Sequence, residues 1–375
     1  MDKTDKKTPS QRKGQADTSP PPARAKLEHV ARLAKVSLAT ASRAINQPDI
    51  VRPEIRERVL HAVEMLDYTP DRMAKALSSG RTHTVGAVVP TLGNAIFADG
   101  VEALEARLGA RGYTLILSHS QYDPLREFRQ IRAMLEYGVD GLVLVGDSFA
   151  PDALPLIRHH RTPLVTTYVC ASRQGIPAIG IDNRQATYRM ARYLIELGHR
   201  EFAVIANTGL PNDRSRARLD GVLDAIAEEG IRLPPDRIFE APLPSIVAGR
   251  EAFRRLRAAH PSVTAFLCTT DAMAVGAVAE ARREGIRVPE DISITGFDDV
   301  EIAAETDPPL TTVNVPASEI GTVAADQLIA IIEGAPAGPI SPFEAKLVVR
   351  GSTGPAAAPV IRKRRSSMRR ASGLA

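Results

Sequence analysis

From Gly80 onward the chain alternates short β-rich runs with helix-length segments, and this alternation limits its fold more than any other feature. Ten runs stand out: Val85–Pro90, Tyr113–Ser118, Gly141–Gly146, Pro163–Tyr168, Ala178–Asp182, Phe202–Ala206, Ala265–Thr270, Ile292–Phe297, Thr311–Val315 and Lys346–Arg350. Strands separated by helix-length crossovers pair in parallel, as βαβ units. Ten strands exceed the about five or six of an ordinary sheet. Residues 81–355 are therefore expected to form two doubly wound lobes. Ligands of such sheets sit beyond the carboxyl ends of the strands. Asn94 and Phe97 follow the first run, Asp271 and Asp298 end two later ones, and Arg214 and Arg218 follow Phe202–Ala206.

The flanking stretches have another texture. Residues 1–25 are charged and polar and include Pro20-Pro21-Pro22. Such a composition buries too little surface to order itself, so a disordered tail is expected. Residues 356–375, with Arg362-Lys363-Arg364-Arg365 and Arg369-Arg370, read as a disordered basic tail. Residues 1–85 carry 16 Lys and Arg against 10 Asp and Glu, residues 351–375 carry 6 against 0, and the middle carries 26 against 34. Basic ends around an acidic body imply that the ends meet a polyanion. No apolar run approaches the about 18 residues of a membrane span. The first residues hold no apolar stretch of the secretory kind, so a cytoplasmic protein without a membrane partner is expected. The 2 cysteines, Cys170 and Cys268, lie in apolar runs and read as buried thiols rather than a disulfide framework.

Residues 26–68 form a compact helical pattern, with helices expected around Leu27–Lys35, Leu38–Ile45 and Pro53–Leu66. Small Ala31 and Ala34 let the first two helices approach closely, and Val36 plugs the turn between them. Ser37 can cap the second helix through its hydroxyl. The helix-turn-helix so formed would aim Leu38 and Ala39 at base edges in a major groove. Thr40, Ser42 and Asn46 could hold phosphates, and Arg43 could reach a guanine or a phosphate. Pro53 opens the third helix, which aligns Ile55, Val59, Ala62, Val63 and Leu66 on one face.

Val30 through Asn46 resemble the signature of the lactose-repressor (LacI/GalR) family, V-A-x-x-A-x-V-S-x-x-T-x-S-R-x-x-N, and the resemblance extends over residues 26–355. It implies an all-α helix-turn-helix head on an α/β, two-lobed effector domain like a periplasmic binding protein. It also implies a homodimer that binds a pseudo-palindromic operator in double-stranded DNA and acts as a transcriptional repressor under a small-molecule effector. Two residues depart from the pattern. Lys35 stands where Gly is usual, which asks for a left-handed backbone or a changed turn. Ala41 replaces a usual Val.

Residues 69–80 look like a short capped helix, Thr69 capping, Pro70 opening and Gly80 ending it. In the resembled family this hinge folds on DNA and wedges a Leu into the minor groove. Leu77 falls at that position, Ala74 at the small position facing the twin helix, and Asp71 replaces a frequent Asn. A linker helix packed on the body is the plainer alternative. The resemblance also marks Asn94, Phe97, Arg214, Arg218, Asp271 and Asp298 as effector contacts, with Thr270-Asp271 in place of a usual Asn-Asp. The chain has no Trp, so only Phe97 or Tyr168 could stack on a sugar ring. Arg214 and Arg218, four residues apart, suit a carboxylate, which makes a sugar acid as eligible as a neutral sugar. Each of these polar residues also has a plainer use, as a helix cap or structural ion pair. No nucleotide, nucleophile-elbow or metal-ligand spacing occurs, so no enzyme, cofactor or metal is expected. The remaining rival is a periplasmic-type solute-binding protein, which the additional head argues against.

Overall fold

The computed structural model describes residues 25–69, 80–209, 211–336, 338 and 340–357. The readings of residues 1–24, of the hinge segment 70–79 with Ala74 and Leu77, and of the tail from 358 onward lie outside the described residues. The chain divides into two compact units, Met1–Ser79 and Gly80–Ala375.

In the first unit α1 (Leu27–Leu33), α2 (Leu38–Asn46) and α3 (Pro53–Met65) enclose a small core of Val30, Ala34, Ala44, Val59 and Ala62. Leu27, Val36, Ile45, Val51, Val63, Leu66 and Tyr68 pack around it. Most of the apolar positions read at helical spacing therefore meet at one point.

The second unit holds two parallel sheets, and all ten expected strands are present. One sheet has the order β2-β1-β3-β4-β5, from β1 (Thr84–Val89), β2 (Thr114–His119), β3 (Gly141–Val145), β4 (Leu164–Thr167) and β5 (Ala178–Ile179). The other has the order β7-β6-β8-β9, from β6 (Phe202–Ala206), β7 (Ile238–Glu240), β8 (Ala265–Cys268) and β9 (Ser293–Thr295). Every pair within both sheets is parallel. The strand β7 is an addition to the sequence reading.

Helices cover both faces of each sheet, because strands buried on two sides are apolar throughout. In the first lobe α4 (Ala95–Ala110) packs on α12 (Ala317–Ile332), while α5 (Pro124–Tyr137) and α6 (Ala153–His160) close the other face over Ile131, Leu142 and Leu144. In the second lobe α7 (Asn183–Glu196) packs on α8 (Asp213–Glu228), and α9 (Ile246–Ala259) on α10 (Asp271–Arg283). A Cβ on Gly321 of α12 would stand 2.1 Å from the Gly100 carbonyl oxygen, so only glycine allows that helix contact. A short α11 (Ile302–Glu305) precedes β10 (Thr312–Asn314), which pairs antiparallel with β11 (Lys346–Val348). The strand order reverses between β1 and β3 and again between β6 and β8. Both switch points open at the carboxyl ends of their strands, where the interlobe cleft lies.

Candidate functional site

Two constellations of polar residues emerge, one in each unit. In the first, α1 ends with the Lys35 amide donating to Arg32 O and the Val36 amide to Ala31 O. This is a Schellman end, whose reversing residue takes a left-handed backbone. Lys35 takes it, at φ 51°. Ser37 caps α2 by accepting from the Thr40 amide at 3.1 Å, and the two hydroxyls lie 2.8 Å apart. The cap leaves Ser37, Leu38 and Ala39 exposed at the start of α2, with Arg43 and Asn46 exposed further along. Thr40 and Ser42 are half-buried, and Asn46 donates back to the Ser42 carbonyl at 3.0 Å.

In the second unit the cleft is lined by Asn94, Phe97, Tyr122, Tyr168, Asn207, Arg214, Arg218, Thr270 and Asp298, among others. Arg218 is anchored on every side. Its Nε donates to Asn183 Oδ1 at 2.8 Å and its Nη1 to the Thr269 carbonyl at 2.7 Å, and Nη1 stands 3.4 Å from Asp298 Oδ1. Its guanidinium carbon lies 3.6 Å from the Phe297 ring centre. The Arg218 pKa is lowered by burial, which Asp298 opposes. Arg214 is paired at 3.1 Å with Asp213, which in turn accepts from the Asp147 amide at 2.6 Å.

Asn94 ends the first lobe's contribution, its amide nitrogen 3.5 Å from Asp298 Oδ2 in the second lobe. Phe97 and Tyr168 meet edge to face, ring centres 5.3 Å apart, and the Tyr168 hydroxyl donates to Ile96 O at 2.8 Å. Burial pushes the Asp298 carboxyl up, with Arg218 pulling the other way.

Three lining residues, Tyr122, Tyr168 and Asp298, have φ of 60°, 63° and 122°. Positive φ costs a side chain about 1–2 kcal/mol, and such strain gathers where a site has to hold a fixed shape.

One expected residue is elsewhere. Asp271, read as an acceptor for effector hydroxyls, opens α10 fully buried behind the cleft wall. Its two carboxylate oxygens take the Val300 amide at 3.0 Å and the Thr312 hydroxyl at 2.5 Å. Burial raises its pKa as well. Its neighbour Thr270, the α10 cap, lines the cleft instead. Tyr122 and Asn207 were missed, although both follow parallel strands, and that strand-end position was the signal available. Among the described residues no cluster could hold a metal ion, and no helix is long and apolar enough to cross a membrane.

Comparison with known proteins matches both parts of the chain. Residues 26–71 match the model for bacterial regulatory proteins of the lacI family, and residues 191–353 match a periplasmic binding protein-like domain. The HTH-type transcriptional repressor CytR of Escherichia coli strain K12 is 32% identical over 332 residues, 88% of this chain and 96% of its own length. A lac repressor dimer solved with operator and the anti-inducer ONPF superposes with a TM-score of 0.79 at 26% identity, covering 88% of this chain and 99% of that one. A transcriptional regulator CelR–cellobiose complex gives 0.65 at 29% identity, covering 88% and 100%. With a helix-turn-helix head, a two-lobed α/β body and relatives matched along almost their whole length, this chain belongs to the LacI family of transcriptional regulators.

Proposed function

We propose that the protein is a repressor that binds a pseudo-palindromic operator as a homodimer and responds to a small polyhydroxylated effector. In this reading residues 26–68 are the DNA-binding domain, 69–80 the hinge and 81–355 the effector-binding and dimerisation domain. Ser37, Leu38, Ala39, Thr40, Ser42, Arg43 and Asn46 meet the DNA, with Ala74 and Leu77 at the minor groove. The observation that carries the DNA half is the capped first turn of α2, which leaves Leu38, Ala39 and Arg43 exposed together. One head contacts few bases, so two-fold pairing supplies the selectivity. Selection from random DNA is expected to return a two-fold symmetric consensus; an asymmetric single half-site would count against the dimer.

The effector half rests on Asn94, Phe97, Tyr168, Arg214, Arg218 and Asp298 converging on one cleft, joined by Thr270. Both guanidiniums there already face a carboxylate, Arg214 that of Asp213 and Arg218 that of Asp298. An incoming acid finds no unmatched positive charge, so a neutral sugar is favoured over a sugar acid. Calorimetry with neutral sugars and their matching acids, on wild type and Arg218→Ala, tests this. Tight binding of the acids alone, lost in Arg218→Ala, would reverse the preference.

A further inference from the structure

Beside the chamber just described lies a second one, lined from the first lobe by Ser120, Tyr122, Glu127 and Ser148 and from the second by Asp213 and Arg214. Tyr122 and Arg214 belong to both chambers and stand between them. Nothing in the first chamber requires this second set of polar groups.

Glu127 is the outstanding member. It lies on α5, half-buried, with the Ala150 backbone amide near enough to pull its pKa down. Burial pushes its carboxyl up to about 7 although Arg214 pulls the other way. Arg214 has its hydrogen-bonded counter-charge in Asp213, so Glu127 is the acceptor left over. A part-buried carboxyl without a well-formed hydrogen bond is costly unless something else donates to it. Among the described residues the hydroxyls of Tyr122 and Ser148 make no hydrogen bond either. Tyr122 is held in the chamber by two successive left-handed residues, Gln121 at φ 55° and Tyr122 at 60°. An aromatic residue holds such a backbone only where its surroundings insist on it.

The charges define what fits. Arg214 and Asp213 cancel each other, and Glu127, with its carboxyl pushed up to about 7, adds little charge, which suits a neutral group rich in hydroxyls. A single sugar ring in the first chamber would have to pass Arg214 and Tyr122 to reach Glu127. We propose that the effector spans both chambers, a two-ring sugar or glycoside whose second, hydroxylated part is read by Glu127. This rests on the carbohydrate reading of the cleft.

The test is calorimetry on the full-length protein with glucose, galactose and their methyl glycosides, set against cellobiose, maltose, lactose and trehalose. At least one disaccharide should bind about tenfold tighter than its own hexose, the upper end of what one ordinary hydrogen bond contributes. Glu127→Leu should erase that ratio and Glu127→Gln, which keeps an acceptor, should retain most of it; thermal melts show whether each variant is folded. A hexose that binds as tightly as every disaccharide containing it overturns the proposal and leaves the carbohydrate reading intact. So does a ratio that Glu127→Leu does not change. Binding by none of the sugars overturns both.

Discussion

At the scale of single residues, Lys35 shows how the chain tolerates a mismatch between side chain and backbone. It occupies the left-handed end of α1, at φ 51°, where glycine carries no Cβ penalty. Lys35→Gly is therefore expected to stabilise the head by about 1 kcal/mol, read from denaturant melts of the intact protein. No change would mean that the lysine side chain makes up the difference elsewhere. Arg43 poses a question of specificity. It is exposed on α2 beside apolar Leu38 and Ala39, so few side chains nearby can read a base by hydrogen bonds. Arg43→Ala should cost about 1–3 kcal/mol at one base pair and relax choice there. A loss spread evenly over all operator variants would mark it as a phosphate clamp. Asp271 shows the limit of reading residues from strand ends alone. Thr270 and Asp271 adjoin the same strand end, and only one of them can face the cleft. Which one does so depends on β10, whose Thr312 hydroxyl draws the carboxylate inward.

At the scale of elements, the proposed hinge, residues 69–80, would join the two functions. Leu77→Ala is expected to weaken operator affinity and reduce DNA bending while effector affinity holds, since an apolar wedge acts only on deformed DNA. Circular-permutation gel shifts measure the bend; an unchanged bend and affinity would remove Leu77 from the minor groove. The elements that carry these sites were largely legible in the sequence. The ten strands were visible because apolar runs between helix-length segments have few other folded forms. The strand β7 was not: Ile238, Phe239 and Glu240 follow Pro234 and Pro235, and three residues are too short to display a period. The three head helices were legible from Ser37, Pro53 and the apolar spacing. Glu127 was not, because what brings it to Arg214 is the approach of two lobes, which no local pattern encodes.

At the scale of the whole molecule, the cleft makes stability sensitive to pH. Asp271, Asp298 and Glu127 all have pKa values raised by burial, Asp298 against the pull of Arg218 and Glu127 against that of Arg214. A carboxyl with a raised pKa binds more protons folded than unfolded, so its stability contribution is present at low pH and lost as pH rises through the folded pKa. His199, lowered by burial, acts the opposite way as a single group. The melting temperature of the effector unit should therefore fall between about pH 5 and 8. Asp271→Asn should flatten that slope, its amide accepting from Val300 and donating to Thr312. A melting temperature that climbs over this range would contradict the assignment.

The interlobe contacts have a kinetic side as well. Asn94 reaches Asp298, and Asp213 takes the Asp147 amide, so the lobes are fastened to each other by their own side chains. Each chamber as fastened has about 20 Å³ free, room for about one water. An effector of sugar size would enter only after the fastening opens. Its observed association rate then levels off at high concentration, at the opening rate, instead of climbing in proportion, and loosening the contact through Asn94→Ala raises that ceiling.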